Sequence, residues 1–244
     1  MGATQFEFRF RLAINAAIVA LGFWSPWIAA FNLGKRTTLM EWLALETSRT
    51  GLATFTAATA AWIVFATLLA AFGAALRVWG TAYLGPGVVT SAAMKAGAVV
   101  ADGPYRHVRN PLYVGIWLVV AAMSFTMPAT GALFTLVLLA LMLLRLIFGE
   151  EKFLAAQLGE TYLAYQKAVP RLLFQARTTL MSSGQKPRWG RAALAELNPI
   201  GVSLIVGIML SMYESRLMIR AFLVCFGLSL VVRALMPEVK LTEQ

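Results

Sequence analysis

The stretch GPYRHVRNPLYVG, residues 103–115, decides how the chain is read. It gathers two arginines, the only histidine, an asparagine, two prolines and two tyrosines into one short polar segment among apolar runs. Pro111 suits the first turn of a helix, where its missing N–H costs nothing. The segment therefore reads as a polar loop feeding a membrane helix over residues 111–127. That puts Tyr105, Arg106, His107, Arg109 and Asn110 at the membrane boundary. Desolvating so many donors near lipid is expensive unless they have partners. A small anionic or zwitterionic ligand at the helix N-terminus would supply them. The plainer alternative is a basic flank that anchors the helix to headgroups.

Working outward, the 244 residues are 59% hydrophobic and 13% charged, with a mean hydropathy of +0.72. Soluble domains are about 45–50% apolar and about 25% charged, so the composition is that of an integral membrane protein. The net charge of +10 is spread between apolar runs rather than gathered in one block. This suits contact with anionic headgroups. No finger spacing or aromatic–basic stacking run supports nucleic-acid binding, and no nucleic-acid partner is expected. Cys225 is the only cysteine, so no intramolecular disulfide forms, and the lone His has no second His to join it in a metal site, which argues against zinc. Arg9 and Arg11 precede an apolar run with no small-residue cleavage site after it, which reads as a retained span rather than a leader.

The expected fold is all-α: a polytopic integral membrane protein with about six transmembrane helices and an amphipathic cytoplasmic helix. The spans are read at residues 12–31, 50–76, 111–127, 129–148, 192–213 and 217–235. The second is rich in Ala, Gly and Thr, which lets helices approach closely in lipid, and Arg77 is expected to end it. Residues 39–45 read as an interfacial piece, 78–102 as a loop with a Gly85-Pro86-Gly87 turn, and 171–191 as a basic linker. Residues 214–216 form a very short connector. Residues 150–167 repeat apolar positions at helical spacing and read as a separate interfacial helix. Three regions follow: N-terminal helices (1–76), a central core with the polar motif (77–173), and a linker with a C-terminal helix pair (174–244). Basic residues near the spans put the motif and both termini in the cytoplasm.

Other polar residues have two readings each. Glu150 and Glu151 either open the amphipathic helix favourably for its dipole or face a ligand. Adjacent helix positions point about 100° apart, so one would bind while the other braces Arg106, Arg109 or Arg145. Arg145 either snorkels to headgroups or lines a polar cavity. His107 alone is weak evidence for catalysis. No GxSxG, GxGxxG or P-loop pattern is present.

The order of GPYRHVRNPLYVG, a hydrophobic hairpin, Glu150-Glu151 and LGETYLAYQKAVPRLL resembles the isoprenylcysteine carboxyl methyltransferase family and its bacterial relatives, a superfamily that includes phospholipid methyltransferases. RVWGTAYLG, residues 77–85, is similar to the segment preceding the motif there. The resemblance covers residues 77–173. It implies an integral membrane enzyme of the bacterial inner membrane that uses S-adenosylmethionine at a cytoplasmic pocket, without a Rossmann domain. It implies a cofactor-side set of Tyr105, His107, Val108, Arg109, Asn110, Pro111, Tyr113, Gly115 and Glu150. Glu151, Arg171 and Arg145 are the catalytic candidates, Tyr162, Tyr165, Pro170 and Arg171 match the tail motif, and no metal is implied. The acceptor would be an amphiphilic, lipid-like molecule entering from the bilayer. Many relatives carry His where this chain has Asn110, and an additional Pro where it has Phe174. A membrane reductase using NADPH shares a similar tail pattern, and a non-catalytic membrane interaction protein is the third reading.

Overall fold

In the computed structural model, residues 2–25, 27–31, 37–85, 101–178, 180–182, 184–211 and 215–235 are described. The Pro86-Gly87 part of the expected turn, Glu214 and the C-terminal tail lie outside them. Among the described residues, every regular element is helical, apart from one isolated bridge between Thr38 and Pro128. The α-helices are α1 (Gln5–Arg9), α2 (Arg11–Trp24), α3 (Trp27–Ala30), α4 (Leu39–Arg49), α5 (Phe55–Leu84), α6 (Pro111–Ser124), α7 (Ala129–Ala168), α8 (Trp189–Ala195), α9 (Leu197–Ser211) and α10 (Ser215–Leu235). A 3-10 turn, Gly103–Arg106, precedes α6.

Helices α5 and α7 are long and apolar enough to cross a membrane. The bent pair α8 and α9, with 70° between its arms, makes a third candidate, and α2, α6 and residues 223–232 are shorter apolar helices. Exposed apolar side chains recur along single faces, as with Val64, Leu68 and Phe72 on α5 and Leu133, Val137 and Leu141 on α7. That spacing marks lipid-facing stripes. The opposite face of α5 buries Ala66, Ala70 and Ala74. At its centre, α5 meets α6 through Gly73 and Gly115. A Cβ on either glycine would come within 2.7 Å of the other's carbonyl oxygen, so only glycine permits this approach.

Several expected boundaries are corrected. Arg77 does not end α5, which continues to Leu84 and stops at Gly85 (φ 89°). The charge is tolerated because a buried carboxylate pairs with it, as described below. At 1.5 Å per residue the 30-residue helix is about 45 Å long against a hydrocarbon core of about 30 Å. It is therefore longer than an untilted crossing of the apolar layer requires. Residues 150–167 are not a separate helix: α7 runs unbroken through Glu150 and Glu151 and kinks only at Gly159 (φ 56°, ψ −137°). Gly149 stays helical, packed against the Ala3 backbone. The expected first span is broken at Ser25, which adopts a left-handed conformation (φ 41°). The expected fifth span is split between α8 and α9.

The N-terminal helix α1 is held to α7. Glu7 takes part in a capping box with Thr4. Its carboxylate accepts from Arg145 Nε at 2.8 Å and Nη2 at 2.9 Å, and the Ala3 N–H donates to the Arg145 carbonyl at 2.7 Å. The Arg145 guanidinium and the Thr4 backbone N–H hold the Glu7 pKa down at about 2, against an ordinary 4.5. A depressed carboxylate pKa stabilises the fold above the unfolded value and loses that contribution as pH falls through the folded one. Wild-type protein should therefore lose thermal stability between about pH 5 and about pH 2 more steeply than a Glu7→Gln variant. Melting curves in detergent across that window check this. Parallel curves would show that the pair does not contribute.

Candidate functional site

The polar motif is fixed by the chain that follows α7. The Arg109 N–H donates to the Pro170 carbonyl at 2.9 Å, and the Gln175 N–H donates to the His107 carbonyl at 3.0 Å. Gln175 Nε2 also donates to the carbonyls of Arg106 and Ala168. Among the described residues, the expected linker at 171–191 has no regular structure before α8, yet it lies across the motif. His107 Nδ1 is 2.8 Å from the Gln175 carbonyl, and its ring stacks on Phe174 at 4.8 Å. Arg106 binds the Leu180 carbonyl, and Asp102 holds Ser182 and the Gln185 N–H. Tyr165 donates to the Tyr105 carbonyl at 2.8 Å.

At the centre lies Glu151, 5% exposed. Arg171 reaches its carboxylate with Nε at 3.0 Å and Nη2 at 2.9 Å. Arg109 Nη2 lies 3.6 Å away. Asn110 Nδ2 donates to Glu151 and to the Arg171 carbonyl, each at 3.2 Å. Arg171 also covers the Phe148 ring at 4.7 Å. Glu151 is thus the bracing carboxylate, and its partners are Arg109 and Arg171. Arg106 and Arg145 are engaged elsewhere. Glu150, one position earlier, points another way and accepts from the Tyr113 hydroxyl at 2.9 Å.

The structure brings together Arg109, Asn110, Glu151 and Arg171, and separately Tyr113 with Glu150. Val108 is buried beside them, and Pro111 opens α6. Gly115 serves the contact with Gly73, and Arg145 is bound to Glu7. Tyr105 Oη and Arg109 Nε are buried with no hydrogen-bond partner among the described residues. Burial, reinforced by the Glu150 carboxylate, pushes the Tyr105 phenol well above its ordinary pKa.

Two cavities adjoin Tyr113. One, about 180 Å³, lies between α2, α5, α6, α7 and the C-terminal helices. Its polar lining includes Arg11, Asn15, Arg77, Tyr113, Glu150 and Asn198, and Val19, Val120, Leu139 and Leu143 supply apolar surface. The other, about 270 Å³, is an apolar groove of α6 and α7 residues with Leu172, and shares Tyr113 and Leu143 with the first.

Sequence reasoning missed the buried cluster on α5. Glu196 is fully buried. It accepts from Arg77 Nε at 2.6 Å, Arg77 Nη2 at 3.0 Å and the Thr81 hydroxyl at 2.7 Å. Arg77 Nη1 also donates to the Leu112 carbonyl at 2.9 Å. The available signal was a lone acid at the start of an apolar run, which must find a cation. Among the described residues no His, Cys, Asp and Glu group could hold a metal.

With this geometry in hand, residues 61–161 match the family model for phospholipid methyltransferase. The match spans α5 from Ala61, the motif, α6 and α7 as far as Thr161, and is consistent with the superfamily that the motifs resemble. It supports a membrane methyltransferase. No curated protein and no solved structure matches the chain significantly.

Proposed function

We propose, with the phospholipid methyltransferase match over residues 61–161 as premise, that the chain transfers a methyl group from S-adenosylmethionine to a lipid-like amphiphile. The observation that carries the reading is the cavity at Glu150, lined by both polar and apolar side chains and reaching the motif at Leu112 and Tyr113. The residues fit the cofactor's chemistry. Tyr105 Oη and Arg109 Nε are buried polar atoms with no partner among the described residues. Glu150 offers a carboxylate, and Tyr113 and Asn110 complete the set that would hold it. When bound, S-adenosylmethionine supplies an already activated sulfonium methyl.

The chain's own residues do the rest. Arg109, Asn110 and Arg171 fix Glu151, so the turn between the 3-10 segment and α6 is rigid before any ligand arrives. Such preorganisation lowers the entropic cost of aligning two reactants. Residues 170–178 and 180–182 lie over the motif and shield it from water. An amine acceptor would need a base to take its proton as the new N–C bond forms and the sulfonium C–S bond breaks. A carboxylate acceptor would need no base. The apolar groove beside Tyr113 suits the acceptor's chain. In this reading the helices cross the membrane about six times, with the motif and its arginines on the cytoplasmic side.

The test is equilibrium binding of S-adenosylmethionine to detergent-purified protein, with NADPH as comparison. Saturable binding that Asn110→Ala and Glu150→Ala each weaken by about tenfold or more, about 1.4 kcal/mol, is expected. Binding of NADPH in preference, or undiminished S-adenosylmethionine binding in both variants, would overturn the site.

A further inference from the structure

The segment that leads from the tail motif into α8 carries an exposed face that methyl transfer does not use. From residue 161 to residue 195 the sequence holds no Asp or Glu. Arg177, Lys186, Arg188 and Arg191 are exposed, and none of their side chains makes an ion pair among the described residues. Large apolar side chains stand among them: Leu173 is 80% exposed, Met181 92%, and Trp189 is half exposed. Cations interleaved with exposed apolar groups, with no acid to balance them, are the composition of a segment lying at a lipid interface. Both ends of the segment are held at apolar surface. Leu172 lines the groove of α6 and α7 with Trp117 and Leu144. At the other end the Arg188 N–H donates to the Ala82 carbonyl and Gln185 Nε2 to the Tyr83 carbonyl, each at 2.9 Å, which pins the segment to the last turn of α5. Trp189 then opens the bent pair α8 and α9, a candidate span, and a Trp at the start of a span sits at headgroup depth. Arg188, Trp189 and Arg191 line one open cleft, and a Cβ on Gly190 between them would meet nothing within 4 Å.

We infer that this basic and apolar face docks on an anionic phospholipid surface, and that docking tightens the cover over the polar motif. Charge complementarity selects the partner. Guanidinium groups bind phosphate well, and the indole beside them gains from an apolar neighbour that a soluble anion lacks. A zwitterionic surface balances each phosphate with its own ammonium and attracts the cations less. The attraction fades within a Debye length, so only side chains already held at headgroup level profit from it. The same segment is tied to the motif. Asp102, just before the 3-10 turn, accepts from the Ser182 hydroxyl at 2.6 Å and the Gln185 N–H at 3.2 Å, and Arg106 binds the Leu180 carbonyl. Docked lipid and a ligand under the cover would both favour the closed segment, so each strengthens the binding of the other. The docking stands apart from the methyl-transfer reading; its effect on S-adenosylmethionine rests on that reading.

The experiment uses the full chain in nanodiscs of phosphatidylcholine alone, or of phosphatidylcholine and phosphatidylglycerol in equal parts. Cys225→Ala removes the only native thiol, and Met181→Cys places a polarity-sensitive fluorophore on the exposed face. The emission should move to the blue in the anionic discs, and high salt should reverse the move. In unlabelled protein, S-adenosylmethionine should bind about fivefold or more tightly in the anionic discs. A triple variant, Lys186→Gln with Arg188→Gln and Arg191→Gln, should lose both responses. In discs of phosphatidylcholine alone it should keep the melting temperature and cofactor affinity of the unsubstituted chain, because the three side chains are exposed and touch neither the motif nor Glu151. Equal emission in the two kinds of disc would overturn the docking. A full response in the triple variant would overturn the assignment to this face. A blue shift with no change in cofactor affinity would overturn the coupling to the motif. Absence of S-adenosylmethionine binding in both kinds of disc would overturn the proposed function instead, and the emission would still decide the docking.

Discussion

Replacing Glu196 with alanine is expected to destabilise the protein by about 3–5 kcal/mol, the range for stranding one member of a buried ion pair. Glu196 is fully buried, and its partner Arg77 keeps only 13% of its side chain exposed. In the variant, the Arg77 guanidinium would retain one bond to the Leu112 carbonyl but no counter-charge, and the Thr81 hydroxyl would lose its acceptor. The pair spans 119 positions in sequence, joining α5 to the junction of α8 and α9. The loss should therefore loosen the C-terminal helices first. Thermal unfolding in detergent gives the magnitude, and limited proteolysis near residues 189–197 reports where opening begins. A double variant, Arg77→Met with Glu196→Leu, should recover most of the stability, because replacing both members with apolar groups removes the stranded charge. If Glu196→Ala melts like wild type, the pair is not the tie between these helices.

The same cluster shows what the sequence could and could not reveal. Apolar runs are local, so the helical, membrane-suited character was legible from composition and periodicity alone. Helix ends were less legible, because a charge ends an apolar run only when it must reach water. Arg77 need not, since Glu196 arrives from far along the chain, and α5 continues through it to Leu84. The same holds at residues 149–151. A glycine and two acids look like a boundary, but Glu151 turns inward onto Arg109 and Arg171 while Glu150 faces Tyr113, so α7 has no reason to stop. Its break falls at Gly159, where a positive φ is open to glycine.

The candidate site was legible as residue types in one motif. Its partners were not. Gln175, Asp102 and Ser182 are ordinary polar residues whose roles depend on a connector folding back over the motif. Asn110 was legible as a departure from the histidine of many relatives. In the structure its amide donates to Glu151 and to the Arg171 carbonyl, a neutral task beside two guanidinium groups that share one carboxylate. Asn15 and Asn198 carried no local signal, because each joins the lining of the Glu150 cavity only once α2 and α9 face it.

Glu151→Ala should combine the second-largest loss of stability with loss of ligand binding. Removing the carboxylate leaves Arg109 buried without a counter-charge and frees Asn110 from one of its two acceptors. The expected cost is about 3 kcal/mol, the low end of the range for breaking a buried pair. The reason for the low end is that Arg171 keeps 39% of its side chain exposed and can recover water. Arg109, with 9% exposed, cannot. Glu151→Gln separates charge from shape. The amide preserves volume and can accept from Asn110, but leaves two cations unneutralised, so it should lose nearly as much stability as alanine. If charge pairing is what orders the motif, S-adenosylmethionine affinity should fall in both variants by about tenfold or more. Arg171→Met should do less harm, because Arg109 still matches Glu151. Melting temperatures and binding isotherms on the three variants decide the matter. Glutamine behaving like wild type would show that Glu151 acts through shape and hydrogen bonding alone. Arg171→Met proving the most damaging would move the centre of the network from the carboxylate to the exposed arginine.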